Sequence, residues 1–164
     1  MNKTMFKKNL QKKGFGLIEA VIGVSIVLVS LLSTISAYNF FLKIAQKNTK
    51  IIKAEFLLNE GVEAVRSIRD LSWIDFVNMN NDTDCYLSFV DGFWQSSSNN
   101  IFIDDVFERK FIITDIYRDE NDNIASSGTL YPNTKGVKVL VSWNNSEATT
   151  TKSMDIILTN LFEN

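Results

Sequence analysis

The feature that most constrains this chain is an apolar run of 23 residues, 15–37, that contains one charged residue, Glu19. As an α-helix, this run would be about 34 Å long, which is enough to cross a bilayer hydrocarbon core of about 30 Å. A charge inside a membrane-spanning helix is energetically costly. The position of Glu19 therefore needs a physical reason.

Two simple interpretations of the run each leave a feature unexplained. A secretory signal peptide has an apolar core of about 7–15 residues followed by a cleavage site of small residues, and this run is longer. A plain signal anchor accounts for the length and for the five lysines within residues 1–14, which favour a cytoplasmic N-terminus. It does not account for Glu19.

The composition excludes several classes of function. There is no histidine and only one cysteine, Cys85, which excludes histidine general-base catalysis, most zinc sites and an intramolecular disulfide. Residues 15–164 carry a net charge of −7, which argues against nucleic-acid binding. Asp104 and Asp105 could form an acid/base pair, but a solvated surface is the simpler interpretation of adjacent carboxylates. We expect no enzymatic activity and no cofactor.

The sequence KKGFGLIE of residues 12–19 resembles the class III leader of type IV pilins and pseudopilins. The resemblance implies that a prepilin peptidase cuts between Gly14 and Phe15 and N-methylates Phe15. It also implies a role in subunit assembly for Glu19, whose carboxylate would face the Phe15 amine of a neighbouring subunit in an assembled filament. Pilins of the main fibre often have proline at the position that Ser36 occupies here, so the resemblance favours a minor pilin or a pseudopilin.

The function implied is that of a non-enzymatic structural subunit of a type IV pilus or a type II secretion-like pseudopilus. The expected partners are the prepilin peptidase, other pilin or pseudopilin subunits, the assembly platform with its ATPase, and the membrane, without nucleic acid. The expected location is the bacterial cytoplasmic membrane, with the N-terminus cytoplasmic and the head outside, and then a surface or periplasmic filament. The alternative is a membrane-anchored adhesin or DNA-uptake tip binding module.

Four lysines, Lys43, Lys47, Lys50 and Lys53, follow the apolar run. The spacing of the first three places them on one helical face. This face could simply be solvated. It could also contact anionic lipid headgroups or acidic patches of adjacent subunits.

Apolar residues with helical spacing continue beyond the run as far as Ile68. We therefore predict one helix over residues 15–70, with a transmembrane part over 15–37 and an extension over 38–70. The prediction allows a bend in this helix near Asn48. Gly61 interrupts this pattern at a cost of about 1 kcal/mol. A close approach of the sheet to the helix at Gly61 could offset the loss.

The pattern of residues 71–164 predicts a β-rich head. In the sequence, this head follows the leader of residues 1–14 and the long helix. We expect residues 72–84 to be mostly loop, a hairpin of 85–90 and 93–95 with a turn at Asp91 and Gly92, and a loop over 95–100. Strands are predicted over 107–118, 137–143 and 152–159, with a turn over 144–149 and with Trp143 in the core. The last three strands suggest an antiparallel meander packed on the helix, which is a pilin-like α+β fold.

Two polar segments place oxygen ligands at alternate positions, as a calcium loop does. One contains Asp119, Asn121 and Asn123, which are candidate calcium ligands. The other contains the three residues Asn80, Asp82 and Asp84. Both lack the glycine and the distal glutamate of an EF-hand, and ordinary Asx turns are the simpler interpretation.

Overall fold

The computed structural model describes residues 16–145 and 148–161. Helix α1 spans Leu17–Leu71 and is followed by a short helix, α2, over Trp73–Val77. The described residues divide between Lys47 and Asn48 into two compact units. The predicted α+β class is confirmed, because a long N-terminal helix accompanies an antiparallel sheet.

Among the described residues of the second unit, six strands form one antiparallel sheet. The strands are β1 (Cys85–Val90), β2 (Phe93–Ser97), β3 (Phe107–Arg118), β4 (Ile124–Ala125), β5 (Thr129–Asn144) and β6 (Thr149–Thr159). Their spatial order is β2-β1-β3-β5-β6, with β4 paired to β3. The predicted meander of the three longest strands is confirmed, because β5 pairs with both β3 and β6.

The core lies between the C-terminal part of α1 and one face of the sheet. On β3 the buried positions alternate, because successive side chains of a strand point to opposite faces. On β5 the same alternation buries three valines and Trp143, as the sequence predicts. The α1 residues that complete this core are Ala54, Leu57, Leu58, Val62, Ala64, Val65 and Ile68.

The turn at Asp91 and Gly92 is confirmed. Both residues have positive φ angles, 53° and 86°, as a tight hairpin turn of this kind requires. Strand β2 continues to Ser97, so the loop predicted over 95–100 is wrong for its first part.

Residues 72–84, predicted to be mostly loop, also contain the short helix α2. The Ser72 hydroxyl accepts a hydrogen bond from the backbone N–H of Asp75 at 3.2 Å and so caps the helix. Phe76 then enters the core. Five residues are too few to show helical periodicity in the sequence, and the polar residues around them favour a loop.

Candidate functional site

The described part of the first unit, residues 16–47, is helical from Leu17 onward and buries none of its side chains. Helix α1 contains a stretch that is long and apolar enough to cross a membrane, judged by its length and composition. The apolar side chains from Leu17 to Phe41 are all exposed. This exposed stretch is the candidate site, because water is a poor solvent for so large an apolar surface.

The serine and threonine hydroxyl groups of the exposed stretch are satisfied inside the helix. Each donates to the backbone carbonyl four residues earlier at 2.8–2.9 Å, which removes its need for an external acceptor. This arrangement is compatible with lipid, where an unsatisfied polar group costs on the order of several kcal/mol. The five residues are Ser25, Ser30, Ser33, Thr34 and Ser36.

Glu19 lies in the first turn of α1 and is exposed. The Gly16 carbonyl accepts hydrogen bonds from the backbone N–H groups of Glu19 and Ala20 at 3.0 and 3.2 Å, which starts the helix. A carboxylate in the first turn interacts favourably with the helix dipole. Within residues 16–145 and 148–161, no basic group lies in ion-pair range of Glu19. Gly14 and Phe15, which form the predicted cleavage site, lie outside the described residues. Phe15 also carries the amine predicted to pair with Glu19.

The four predicted lysines have different surroundings. Lys53 pairs with Asp104, and the Lys50 ammonium donates to the Asn144 carbonyl at 3.5 Å. Lys43 and Lys47 are exposed, and no carboxylate of the described segments lies in ion-pair range of either.

A buried cation joins helix and sheet in the second unit. Arg109 projects from β3 into the core and is 5% exposed. One guanidinium nitrogen, Nη1, donates to Glu60 Oε2 at 2.5 Å and to the Leu57 carbonyl at 3.4 Å. The guanidinium carbon also lies 5.0 Å from the centre of the Trp94 ring. In the predicted strand, Arg109 alternates in step with the apolar residues that face the core. This position is the feature of the sequence that indicates a buried charge.

A second polar cluster ties the loop before β1 to the sheet. Lys135 Nζ donates to Asp115 Oδ1 at 2.5 Å and to Asn81 Oδ1 at 3.3 Å. Asn81 Nδ2 donates to the other carboxylate oxygen of Asp115 at 2.8 Å. The hydrogen bond from Lys135 is the main cause that lowers the pKa of Asp115. This closed triangle holds the loop and needs no ligand.

The predicted calcium candidates form an Asx turn. Asp119 Oδ1 accepts from the backbone N–H groups of Asn121 and Asn123 at 2.9 and 2.8 Å. Asp119 Oδ2 accepts from Asn123 Nδ2 at 3.3 Å. The hydrogen bonds from Asn123 are the main cause that lowers the pKa of Asp119. Both carboxylate oxygens are therefore already occupied by N–H donors.

The other acidic candidates are also dispersed. Asp84 pairs with Lys110 at 2.6 Å, and the backbone N–H of Asp82 donates to the Ile113 carbonyl. Asp104 pairs with Lys53 rather than acting with Asp105. Within the described segments, no group of three or more His, Cys, Asp or Glu residues is arranged to hold a metal ion.

The basic residues of the second unit are almost all neutralised. This unit contains ten Lys and Arg residues. Within residues 48–145 and 148–161, nine of them lie in ion-pair range of a carboxylate, and Lys50 has no such partner there. The described surface of this unit therefore offers little unpaired positive charge to a polyanion.

No protein-family model, no curated protein and no solved structure matches this chain.

Proposed function

We propose that the chain is a non-enzymatic filament subunit of a type IV pilus or type II secretion-like pseudopilus, and a minor one. The observation that carries the proposal is the exposed apolar stretch of α1 with one carboxylate in its first turn. Such a surface needs lipid or other protein around it. A subunit that is stored in a membrane and then packed into a helical bundle meets both surroundings.

Glu19 provides the register of assembly in this proposal. Prepilin peptidase cuts between Gly14 and Phe15, and the new amine at Phe15 is methylated. In a staggered bundle, the carboxylate of Glu19 then meets the Phe15 amine of a neighbouring subunit. Attraction between opposite charges is strong where the dielectric constant is low, and an unpaired charge there is costly, so the pair selects one stagger.

The proposed location follows from the same helix. The leader lysines hold the N-terminus in the cytoplasm, and the second unit lies outside the cytoplasmic membrane until extraction into a filament. The partners are the prepilin peptidase, other pilin or pseudopilin subunits, and the assembly platform with its ATPase. The paired charges of the second unit favour this structural role over a DNA-uptake tip module, which would need exposed positive charge.

Replacing Glu19 tests the proposal. We expect Glu19→Ala to leave membrane insertion and head folding unchanged and to reduce incorporation into filaments sharply, because the partner amine loses its counter-charge. Glu19→Asp should give an intermediate amount, since the carboxylate remains but reaches less far. Ser36→Ala is the matched control, because its hydroxyl is bonded within the helix. The measurement is the subunit in sheared filaments relative to the membrane pool.

Two results would contradict the proposal. One is equal incorporation of the wild type and Glu19→Ala, which would show that the carboxylate has no role in assembly. The other is a native N-terminal peptide that begins at Met1, because the proposed mature chain begins with N-methyl-phenylalanine at Phe15.

A further inference from the structure

We propose that Tyr38, Phe40, Phe41, Lys43 and Lys47 form a collar that binds anionic phospholipid headgroups at the outer surface of the membrane. The inference rests on the proposed residence of the first unit in a bilayer. It adds a lipid partner and a fixed depth of insertion to the proposed assembly role.

The collar lies where the apolar stretch ends. After Glu19, the next charged residue along the chain is Lys43. The three aromatic side chains just before it are all exposed. Aromatic rings are enriched at the boundary between hydrocarbon and headgroups, where an apolar body and a polar surrounding meet. The end of the stretch therefore has the composition of a membrane interface.

The two lysines are placed to reach the headgroups. Lys43 and Lys47 lie one helical turn apart, on the same face as Phe40. The Cα–Cβ bonds of a helix tilt towards its N-terminus, so both side chains extend back towards the apolar stretch. Their methylene groups can then lie along apolar surface while the ammonium groups remain among polar headgroups.

The charges of the collar are available for a partner. Lys53, Lys110, Lys135, Lys138 and Lys152 each pair with a carboxylate of the second unit. Lys43 and Lys47 have no such pair within the described segments. A phosphate headgroup supplies the missing negative charge directly beside the apolar stretch.

The collar also fixes where Glu19 lies before assembly. Lys43 follows Glu19 by 24 residues, which is about 36 Å along a helix. The hydrocarbon core is about 30 Å thick. With Lys43 among the outer headgroups, Glu19 lies at the opposite interface rather than in hydrocarbon. The carboxylate then enters a low-dielectric medium only when the subunit leaves the bilayer for a bundle.

Amine footprinting of the full-length protein in vesicles tests the collar. Neutral phosphatidylcholine vesicles are compared with vesicles that also contain phosphatidylglycerol, using a membrane-impermeant acylating reagent and peptide mass spectrometry. We expect acylation of Lys43 and Lys47 to slow about fivefold per lysine in the anionic vesicles, equivalent to about 1 kcal/mol each. High salt should remove this protection. Lys138 is the internal reference, because it lies on the second unit and is half-exposed.

A pair of variants separates the collar from total charge. Lys43→Gln with Lys47→Gln should retain several-fold less phosphatidylglycerol after purification than the wild type. Lys138→Gln with Lys152→Gln removes the same charge from the second unit and should retain the wild-type amount.

Three outcomes would overturn the inference. Equal acylation rates in both kinds of vesicle would remove the lipid partner while leaving the proposed filament role intact. Protection that is the same in both lipids and grows with protein density would assign the lysines to neighbouring subunits instead. Failure of the chain to float with either kind of vesicle would overturn the membrane residence itself, and the proposed function with it.

Discussion

Gly61 shows how closely the helix and the sheet meet in the second unit. A Cβ atom at this position would lie 2.9 Å from Val139 Cγ1 and 3.1 Å from Arg109 Cδ. These distances are shorter than ordinary van der Waals separations, so a side chain here must displace its neighbours. The close approach predicted from a glycine in the middle of a helical pattern is confirmed.

Gly61→Ala is expected to destabilise the second unit by up to about 2 kcal/mol. Alanine favours a helix over glycine by about 1 kcal/mol, but overpacking of a core costs about 1–3 kcal/mol, and here the neighbouring atom belongs to a short, stiff valine. The measurement is urea unfolding of a fragment that starts at about residue 43. Asn59→Ala, on the exposed side of the same helix, is the control. A fragment stabilised by Gly61→Ala would show that the sheet can yield.

The hydrogen bond that lowers the pKa of Asp115 makes this residue contribute to stability in a pH-dependent way. The pKa of Asp115 in the folded state lies below its ordinary value of 3.8, so its contribution to stability is fully present at pH values above 3.8. It is lost as the pH falls through the folded-state pKa. Asp115→Asn should therefore reduce the free energy of unfolding by about 1–3 kcal/mol at neutral pH, because Lys135 keeps its charge and loses its counter-ion.

The difference between wild type and Asp115→Asn should shrink when unfolding is measured from about pH 6 down to about pH 3. Asp155→Asn is the control, because Asp155 pairs with Lys138 on the exposed face at 3.5 Å. Such pairs contribute little to stability. A difference that stays constant over this pH range would mean that the charge of Asp115 is not what stabilises the fold.

At the scale of elements, alternation of apolar residues predicts a strand where one face is buried throughout. Strand β3 has the predicted bounds, because its apolar positions alternate from Phe107 to Ile113. Strand β5 begins at Thr129, well before the predicted residue 137. Its first four residues, which include Pro132, are exposed, and the buried Thr134 and Lys135 that follow are polar. This part of the strand pairs with β3 beyond a bulge near Tyr117. Backbone pairing without buried apolar residues leaves no pattern in a sequence.

Helix α2 is not predicted from the sequence, and two of its residues provide a matched test of whether it belongs to the core. Phe76 is 0% exposed and contacts the Trp73 ring, whereas Ile74 in the same helix is 70% exposed. Phe76→Ala should destabilise the second unit by about 3–5 kcal/mol, the usual cost of emptying a buried aromatic site. Ile74→Ala should change stability by less than about 0.5 kcal/mol. Similar effects of the two changes, measured by thermal unfolding, would place α2 outside the core.

At the scale of the whole molecule, the leader motif and the described structure cover different residues of the candidate site. The residues that suggest cleavage and methylation, Gly14 and Phe15, precede the first described residue, so these roles stay predictions. The exposed apolar stretch that follows them could be predicted from composition alone. The buried Arg109 could not be paired from sequence, because Glu60 and Trp94 approach it only through the fold.

The division between Lys47 and Asn48 predicts that the second unit is soluble without the first. A fragment from about residue 43 onward should give a circular dichroism spectrum with both helix and sheet, because α1 from Ala54 to Ile68 shares one core with β3 and β5. A spectrum dominated by helix, or a fragment that aggregates on release from the apolar stretch, would contradict this prediction.

The serine and threonine hydroxyl groups of the apolar stretch have a kinetic consequence. Since each already donates within its own helix, moving this stretch from lipid to a protein bundle exchanges none of their hydrogen bonds. Along the stretch itself, no serine or threonine hydrogen bond has to break when the subunit leaves lipid, and none has to form when it enters a bundle. The directional contacts that change on transfer then lie at the two ends of the helix, at Glu19 and at the proposed collar, so the barrier to transfer does not grow with the length of the stretch.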